Sequence, residues 1–403
     1  MKSKSKGVFK KIYLYLLLAV LGGVVIFLFL PGNYYVREAL MHLMPKIDQY
    51  TIFENRVVKA EDPQPWELAP NVETNQISPE FTPDFKKYGT VGFVVVQHNK
   101  IILEQYWHNY SPLSLSNSFS MAKSIISLLV GCAISDGKIK SVVEPVHDFL
   151  PEWTSFDGKT LTIKDLLTMS AGVEWDESYN SLFSKTTEAY YGNDLWKLVL
   201  TEKLIEKPGV RFNYQSGVSQ MLAFIVQKAT GKKIADYASE KLWTPIHAEQ
   251  DAMWSLDRKS GMEKAYCCFN TNARDFARLG QLILNKGSWD STQVVDSNYI
   301  REATKPATWL KFTRRLRPGE TTYREPIPCN FYGYQFWLLN YQGLKVINFR
   351  GMLGQYILVI PQLDAVIVRL GTKSAEEFNV DQEYPKDIEV WLNAGIDAIN
   401  RQK

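Results

Sequence analysis

The sequence lacks the short motifs that mark several large enzyme classes. It contains no H-E-x-x-H pair, no G-x-S-x-G elbow, no Walker loop and no G-x-G-x-x-G turn. The five histidines are scattered at positions 42, 98, 108, 147 and 247, and this spacing does not suit a metal site. Cysteine is scarce as well, with four among 403 residues, which excludes a disulfide-stapled scaffold.

Acidic residues are missing from the first thirty positions, where all five charged side chains are lysines. The whole chain has 46 Lys+Arg and 43 Asp+Glu, so the part that follows is close to neutral. A dedicated nucleic-acid binder needs a basic face, and we therefore expect no nucleic-acid partner. A hydrophobic content of 45% and a charged content of 22% are typical of a folded globular protein.

Residues 12–30 form one uncharged apolar run. As a helix the run reaches roughly 28 Å, close to the ~30 Å hydrocarbon core of a bilayer. A cleaved secretory signal is the alternative, but its apolar core is shorter, at ~7–15 residues, and ends in a small-x-small site. We expect an uncleaved single-pass anchor, with residues 1–11 as a cytoplasmic basic tail and the rest on the periplasmic, extracytoplasmic side.

Residues 31–84 read as a membrane-proximal segment and a proline-rich linker or wrapping arm, and residues 85–403 as one α+β domain. The region from about 138 to 300 is mostly helical and is interpreted as an insertion, a helical subdomain. The segment 120–135 is apolar on every side and predicts a buried helix. Five β-rich runs flank the helical part: 91–97, 100–107, 333–339, 355–360 and 365–370.

A Ser-x-x-Lys pattern occurs three times, beginning at Ser3, Ser120 and Ser135. Only Ser120 starts a predicted buried helix, in which Lys123 lies one turn along on the same face. The helix N-terminus favours negative charge developing on Ser120. Burial shifts Lys123 towards the neutral amine, which can act as a base.

A proton relay to a leaving group needs a further side chain. Tyrosine followed two residues later by Ser or Asn occurs at Tyr179, Tyr191, Tyr214 and Tyr237. Tyr214 is favoured because its loop enters a predicted helix, a place for exposed catalytic groups. Ordinary packing is the alternative for each of these tyrosines.

The chain resembles the serine β-lactamase/penicillin-binding-protein superfamily, and most closely its class C-like branch of esterases and 6-aminohexanoate-dimer hydrolases. The likeness extends over residues 89–371 in six blocks. They are GFVVVQHNKIILEQYW, SFSMAKSIISLLVG, LTIKDLLTMSAGVEWDES, KPGVRFNYQSG, CCFNTNARDFARLGQLIL and FRGMLGQYILVIPQLDAVIVRLG. The resemblance implies a β-lactamase/transpeptidase-like fold, with an antiparallel five-stranded sheet flanked by helices and a helical insertion.

The resemblance also implies roles for individual residues. Ser120 would be the acylated nucleophile and Lys123 would accept its proton. Tyr214 would protonate the leaving group and then activate water, and Ser216 would hold this hydrogen-bond network. No metal or organic cofactor is expected, because lysine and tyrosine handle the protons.

The residues 349–351, Phe-Arg-Gly, fall where β-lactamases carry Lys-Thr-Gly, a motif that this chain lacks. By resemblance Gly351 lines the site, and the backbone N–H of Met352 forms an oxyanion hole with that of Ser120. Without the lysine, an ester or small amide becomes the favoured substrate. A D-amino-acid peptidase or β-lactamase is the alternative within this class, and a catalytically silent cell-wall binding module is the alternative outside it.

Two further expectations concern aromatic residues and cysteines. The loop with Trp175, Glu177 and Tyr179 is a candidate substrate wall, with ordinary packing as the alternative. Cys267 and Cys268 are adjacent and do not easily bridge each other, so we expect all four cysteines to be free. The alternative is a bridge between two cysteines that lie close together, which an oxidising compartment would permit. The natural acyl group and the oligomeric state do not follow from the sequence.

Overall fold

The computed structural model describes residues 2–153, 161–313 and 325–402. Its α-helices are α1 Lys2–Phe29, α2 Tyr34–His42, α3 Thr82–Lys87, α4 Met121–Ser135, α5 Ile163–Leu167, α6 Lys185–Tyr191, α7 Leu195–Leu200, α8 Ser216–Thr230, α9 Ile234–Ala238, α10 Ala273–Leu284, α11 Ser297–Ala303 and α12 Asp387–Asn400. Its strands are β1 Asn55–Val58, β2 Glu67–Leu68, β3 Thr90–Gln97, β4 Lys100–Tyr106, β5 Ser116–Asn117, β6 Ala252–Ser255, β7 Phe269–Thr271, β8 Ser288–Trp289, β9 Thr292–Gln293, β10 Lys311–Phe312, β11 Ile327–Pro328, β12 Trp337–Tyr341, β13 Leu344–Gly351, β14 Gln355–Ile360, β15 Ala365–Gly371, β16 Phe378–Asn379 and β17 Tyr384–Pro385.

The main sheet has seven strands in the order β12-β13-β14-β15-β3-β4-β2. Neighbouring strands are antiparallel except for β2, which runs parallel to β4. The prediction of a five-stranded antiparallel sheet is therefore wrong, although the sheet does join the two ends of the chain. The polar residues Lys345, Asn348 and Arg350 interrupt the apolar pattern of β13, so this strand was not among the five predicted β-rich runs. β2 is a two-residue edge strand in a proline-rich arm, where no strand was expected.

The two faces of the sheet belong to two separate cores. Val94 and Val96 of β3 point into the larger core, which contains α4, α8 and α10, whereas Phe93 and Val95 point to the smaller core around Trp391 of α12. This alternation is the two-residue period of a strand covered on both sides. The result is a sheet between helical layers, as the α+β interpretation expects.

The helix α4 is buried on all sides, as its uniformly apolar sequence predicts. Every residue from Met121 to Ala133 is buried, and α4 packs against α8 on one side and the strand β13 on the other. The helix ends at Asp136, and Gly137 follows with φ of +66°, a conformation that favours glycine. The first turn of α4 is thus fixed at the centre of the domain.

A second, four-stranded sheet has the order β1-β6-β7-β5. Its edge strand β1 comes from the segment 31–84, and β6 and β7 come from the mostly helical region 138–300. Arg56 of β1 forms an ion pair with Glu263, whose side chain is fully buried. Within the proline-rich stretch that follows, the Trp66 indole donates to the Arg274 carbonyl at 2.9 Å, so the segment 31–84 packs closely on the rest of the domain.

The N-terminal helix α1 contains one stretch, Phe9–Phe29, that is long and apolar enough to cross a membrane, with a mean hydropathy of 2.7 and no part buried in the protein. Helix α2 follows almost directly and packs on α6. The Tyr191 hydroxyl donates to the Leu43 carbonyl at 2.6 Å, which ties the end of α2 to the domain.

The cysteines differ from expectation. Cys267 and Cys268 form a disulfide between neighbouring residues, whereas Cys132 and Cys329 are free and buried. Cys268 adopts φ of 67°, a left-handed conformation that the sequence-based argument about adjacent cysteines did not include. The prediction that all four are free is therefore wrong for this pair.

Candidate active site

Ser120 lies at the N-terminus of α4, at the end of a tight turn. The amide of Phe119 donates to the Asn117 side chain at 2.8 Å, and Phe119 adopts φ of 43°. The Ser118 amide donates to the Phe269 carbonyl at 2.8 Å, which ties the turn to β7. A left-handed conformation at a phenylalanine is costly and persists only where neighbouring structure imposes it. The turn therefore holds Ser120 in one position.

Lys123 lies one helical turn after Ser120 and is 1% exposed. Its Nζ is 3.0 Å from Ser120 Oγ and donates to the Tyr266 carbonyl at 2.9 Å. Burial lowers the pKa of Lys123 to about 8, while the carboxylate of Glu177 acts in the opposite direction. A large fraction of this side chain is therefore the neutral amine in weakly basic solution.

Tyr214 lies beside this pair, immediately before α8. The Lys123 Nζ is 5.0 Å from the centre of the Tyr214 ring. Burial raises the pKa of the Tyr214 phenol, while a hydrogen bond with Ser120 opposes that rise. The preceding residue is fixed because the Asn213 amide donates to the Met169 carbonyl at 2.7 Å. The structure thus brings Tyr214 to Ser120, and of the four tyrosines in the repeated pattern it is the one next to Lys123.

Glu177 is a buried carboxylate with four hydrogen bonds from neighbouring groups. One oxygen accepts from Trp175 Nε1 at 2.8 Å and from the Ser216 amide at 2.7 Å. The other accepts from the Ser216 hydroxyl at 2.7 Å and from the Tyr179 hydroxyl at 2.6 Å. Glu177 therefore organises the loop 175–179 and the start of α8, a role that the sequence did not reveal.

These contacts bear on three expectations. Ser216 donates to Glu177 through both its amide and its hydroxyl, and its role in the hydrogen-bond network of the site stays a prediction. Trp175 is buried behind the site against Gly217, where an added Cβ would lie 2.4 Å from the indole, so Trp175 is not a substrate wall. Glu177 and Tyr179 do line the groove above Ser120.

The strand β13 runs along the other side of Ser120. A Cβ on Gly351 would lie 2.2 Å from the Ser118 carbonyl oxygen, so only glycine permits this approach. Met352 begins the turn that follows and lines the same groove as Ser120. The structure thus brings both residues to the site, next to the serine turn.

Arg350 also faces the groove. Its guanidinium carbon is 3.3 Å from the centre of the Trp337 ring, and its Nη1 donates to the Glu383 carbonyl at 2.7 Å. Trp337 in turn lies 5.3 Å from the Tyr214 ring. Burial lowers the pKa of Arg350 to about 10, which leaves the group charged at neutral pH. Neither Trp337 nor the Tyr266 carbonyl had a sequence signal. Trp337 is one of several aromatic residues in the stretch 331–337, and the Tyr266 carbonyl is a main-chain acceptor.

The groove has a volume of about 1010 Å³ and runs over Ser120 between Tyr214 and Arg350. Among the residues that the structure describes, no group of three or more His, Cys, Asp or Glu could hold a metal ion. A serine, a desolvated lysine and a tyrosine in mutual contact form a constellation suited to acyl transfer.

The family model for beta-lactamases matches residues 81–390, which is more than half of the chain. The chain belongs to the beta-lactamase family. The superfamily indicated by the six sequence blocks is therefore confirmed, and the protein is a serine hydrolase of the beta-lactamase type.

Individual beta-lactamase relatives agree with this assignment. The 6-aminohexanoate-dimer hydrolase of Paenarthrobacter ureafaciens is 25% identical over 296 residues, which are 70% of this chain and 72% of that protein. A putative 6-aminohexanoate-dimer hydrolase from Bacillus anthracis superposes with a TM-score of 0.70 at 20% identity, covering 93% and 96% of the two chains. A family VIII carboxylesterase superposes with a TM-score of 0.60 at 16% identity, covering 85% and 100%. At this identity the two solved structures show the fold alone.

Proposed function

We propose that this beta-lactamase family member is a membrane-anchored serine hydrolase that cleaves an ester or a small amide through an acyl-enzyme on Ser120. The single observation that carries the proposal is the 3.0 Å contact between Ser120 Oγ and the buried Nζ of Lys123. A serine hydroxyl is a weak nucleophile until a base removes its proton, and a desolvated amine within hydrogen-bonding distance is such a base.

In the first half of the reaction, neutral Lys123 accepts the Ser120 proton while Oγ bonds to the substrate carbonyl carbon. Tyr214 donates its proton to the leaving alcohol or amine as that bond breaks, and Lys123 returns the proton to Tyr214. In the second half, Tyr214 and Lys123 take a proton from the water that attacks the acyl carbon. They return a proton to Ser120 Oγ as the acyl–Oγ bond breaks, which restores the free serine. The Tyr266 carbonyl holds the lysine amine in place throughout.

The backbone amides of Ser120 and Met352 are proposed to stabilise the negative oxygen of the tetrahedral intermediate. The tight packing of Gly351 on Ser118 supports this role, because it fixes the distance between the two segments. Removing one donor of an oxyanion hole typically costs ~3–4 kcal/mol of transition-state stabilisation.

The proposed anchor is the uncharged run 12–30, which overlaps the apolar stretch Phe9–Phe29 of α1. Lysines are concentrated on its N-terminal side, which supports an N-terminus in the cytoplasm and a hydrolase domain outside it.

A substrate with a carboxylate, such as a D-amino-acid peptide, is the second candidate. The charged guanidinium of Arg350 in the groove favours it, since arginine is well suited to carboxylates. Its contacts with Trp337 and the Glu383 carbonyl hold the guanidinium in place.

The proposal is tested with the full chain in phospholipid vesicles and p-nitrophenyl butyrate as the substrate. Ser120→Ala is expected to abolish turnover, whereas Ser135→Ala, in the second Ser-x-x-Lys of the same helix, is expected to retain it. Equal activity of wild type and Ser120→Ala would show that Ser120 is not the nucleophile. A panel of D-amino-acid peptides in the same assay decides between the two substrate classes.

A further inference from the structure

A second cavity, of about 330 Å³, opens beside Ser120 on the side nearest the N-terminal helices. It meets the groove at three residues that line both, namely Ser120, Tyr179 and Met352. A carbonyl carbon placed at Ser120 would therefore have one substituent in the groove and the other in this acyl chamber. Its volume lies within the roughly 300–1,000 Å³ that small-molecule sites occupy.

The walls of the acyl chamber are mostly apolar. Leu40, Leu43 and Met44 line it from α2 and the residues just after, and Leu182 lines it from the loop before α6. The ring of Tyr191 also lines the chamber, and its hydroxyl already donates a hydrogen bond to the Leu43 carbonyl. An aliphatic chain would be buried here against a mostly apolar wall.

The groove beside Ser120 is more polar than the chamber, although aromatic residues such as Phe212 and Trp337 also line it. Glu206 and Arg211 line it and face each other at 3.5 Å, and Glu376 and Arg350 line it as well. Charged side chains of both signs favour a polar, hydrated group there. The two cavities together fit a molecule with one apolar and one polar half, joined at the bond that Ser120 attacks.

The rim of the acyl chamber is close to the end of the apolar helix α1. The ring of Phe27, in the last turn of α1, is 6.4 Å from the ring of Phe183, which directly follows Leu182 of the chamber wall. Phe183 is 65% exposed and Leu43 is 70% exposed, so an apolar surface joins α1 to the chamber. If Phe9–Phe29 spans the bilayer, this surface lies where the hydrocarbon ends.

We infer that the acyl chamber binds the aliphatic chain of an amphiphilic ester or amide that enters the site directly from the bilayer, with the polar leaving group in the groove. This inference rests on the proposed function, including the anchor. Ser120 Oγ attacks the carbonyl carbon, and the polar alcohol or amine leaves through the groove with a proton from Tyr214. Water then releases the acyl chain as a fatty acid.

The test uses the full chain in phosphatidylcholine vesicles with p-nitrophenyl esters from acetate to decanoate. We expect kcat/KM to rise about twofold to fourfold for each added methylene, the upper value corresponding to ~0.8 kcal/mol per buried CH₂. Leu182→Asp should lower the ratio of octanoate to acetate activity at least tenfold, and Leu40→Asp is a second variant from the opposite wall. Leu113→Asp, an exposed leucine outside the chamber, is the matched control and should keep the wild-type ratio. All these variants meet the same partitioned substrate, so comparing their ratios cancels the effect of partitioning.

A second arm tests entry from the bilayer. With p-nitrophenyl palmitate in the same vesicles as the enzyme, turnover should be at least tenfold faster than with palmitate in separate vesicles. An equal rate in both arrangements would overturn entry from the membrane.

The chain-length test can overturn the acyl chamber separately. It would do so if kcat/KM did not change with chain length, or if both chamber variants kept the wild-type ratio of octanoate to acetate activity. Acetate hydrolysis that depends on Ser120 would then still support the proposed function. If acetate hydrolysis survives Ser120→Ala, the proposed function itself fails.

Discussion

Lys123 links the proton chemistry of the site to the pH of the solution. The proposed mechanism needs its neutral form, and burial lowers the pKa of Lys123 to about 8. Activity should therefore be low below this value and rise with pH through it. We expect kcat/KM for p-nitrophenyl butyrate to rise about tenfold per pH unit between pH 6 and 7 and to level off above pH 9. Rates with Ser120→Ala give the background hydrolysis, and a flat profile between pH 6 and 9 would contradict a lysine base.

Glu177 affects the same titration from a distance. Its negative charge holds the pKa of Lys123 higher than burial alone would. In Glu177→Gln that attraction is lost, so the pKa of Lys123 falls further and the rise in kcat/KM moves to lower pH. The side-chain amide of the new glutamine also has an N–H group where Glu177 accepts hydrogen bonds, so one of the present donors loses its acceptor. We therefore expect the free energy of unfolding to fall by about 1–3 kcal/mol.

The matched control for this variant is Glu206→Gln, which removes a carboxylate from the same groove. Glu206 pairs with Arg211 and is not among the groups that affect the pKa of Lys123. The midpoint of the kcat/KM profile against pH should therefore be the same in Glu206→Gln as in the wild type. A shift of equal size in both variants would mean that general charge in the groove, and not Glu177, sets the profile.

The sequence reveals local geometry better than it reveals main-chain contacts. The contact between Ser120 and Lys123 was predictable because residues three apart share a helical face. Tyr214 was selected with the help of a family resemblance. The acceptor that holds Lys123 is the carbonyl of Tyr266, and the identity of a side chain carries no information about such a contact. The contact between Ser216 and Glu177 was not predicted, because it depends on how the loop 175–179 packs against the start of α8.

At the scale of elements, the prediction succeeded where one environment surrounds an entire segment. The helix α4 is apolar on every face and buried on every face, so composition alone predicted it. The strand β13 mixes charged and apolar residues, so its pattern alone did not predict a strand, and only the family resemblance placed residues 349–351 on one. The edge strand β2 is defined by its pairing with the neighbouring strand β4. Such a tertiary contact cannot be predicted from a segment of two residues.

The strand β13 also provides a test of how the site is held together. In Gly351→Ala the new Cβ would lie 2.2 Å from the Ser118 carbonyl, so β13 or the serine turn must move. Gly351 itself has φ of −119°, so the effect is steric and not a matter of backbone conformation. We expect kcat/KM to fall at least tenfold and stability to fall by about 1–3 kcal/mol. Gly32→Ala is the control because its Cβ would meet nothing within 4 Å. Wild-type kcat/KM in Gly351→Ala would show that this close approach does not position the site.

At the scale of the whole molecule, the arm before the hydrolase core is tied to it by a buried ion pair. Arg56 lies on β1, and its guanidinium contacts the carboxylate of Glu263, whose side chain is fully buried and also accepts from the Ala235 amide at 3.0 Å. The pair connects the segment that follows α2, and hence the wall of the acyl chamber, to the helical region. Arg56→Met keeps much of the aliphatic volume but leaves Glu263 without its partner. We expect a loss of about 3–5 kcal/mol in the free energy of unfolding, measured by urea denaturation of the detergent-solubilised chain.

Lys59→Met is the matched control on the same arm. Lys59 pairs with Asp251 at 2.7 Å, but both side chains are exposed to solvent, and such pairs are typically worth ~0–1 kcal/mol. The difference between the two variants isolates burial, because both remove one cation from the same arm and replace it with methionine. If Arg56→Met costs no more than Lys59→Met, Glu263 must become protonated or hydrated without consequence, and the arm would be held by β-strand pairing alone. A large loss in Arg56→Met alone would mean that the core, the arm and the chamber wall unfold together, so that the N-terminal arm is an integral part of the hydrolase and not a passive tether.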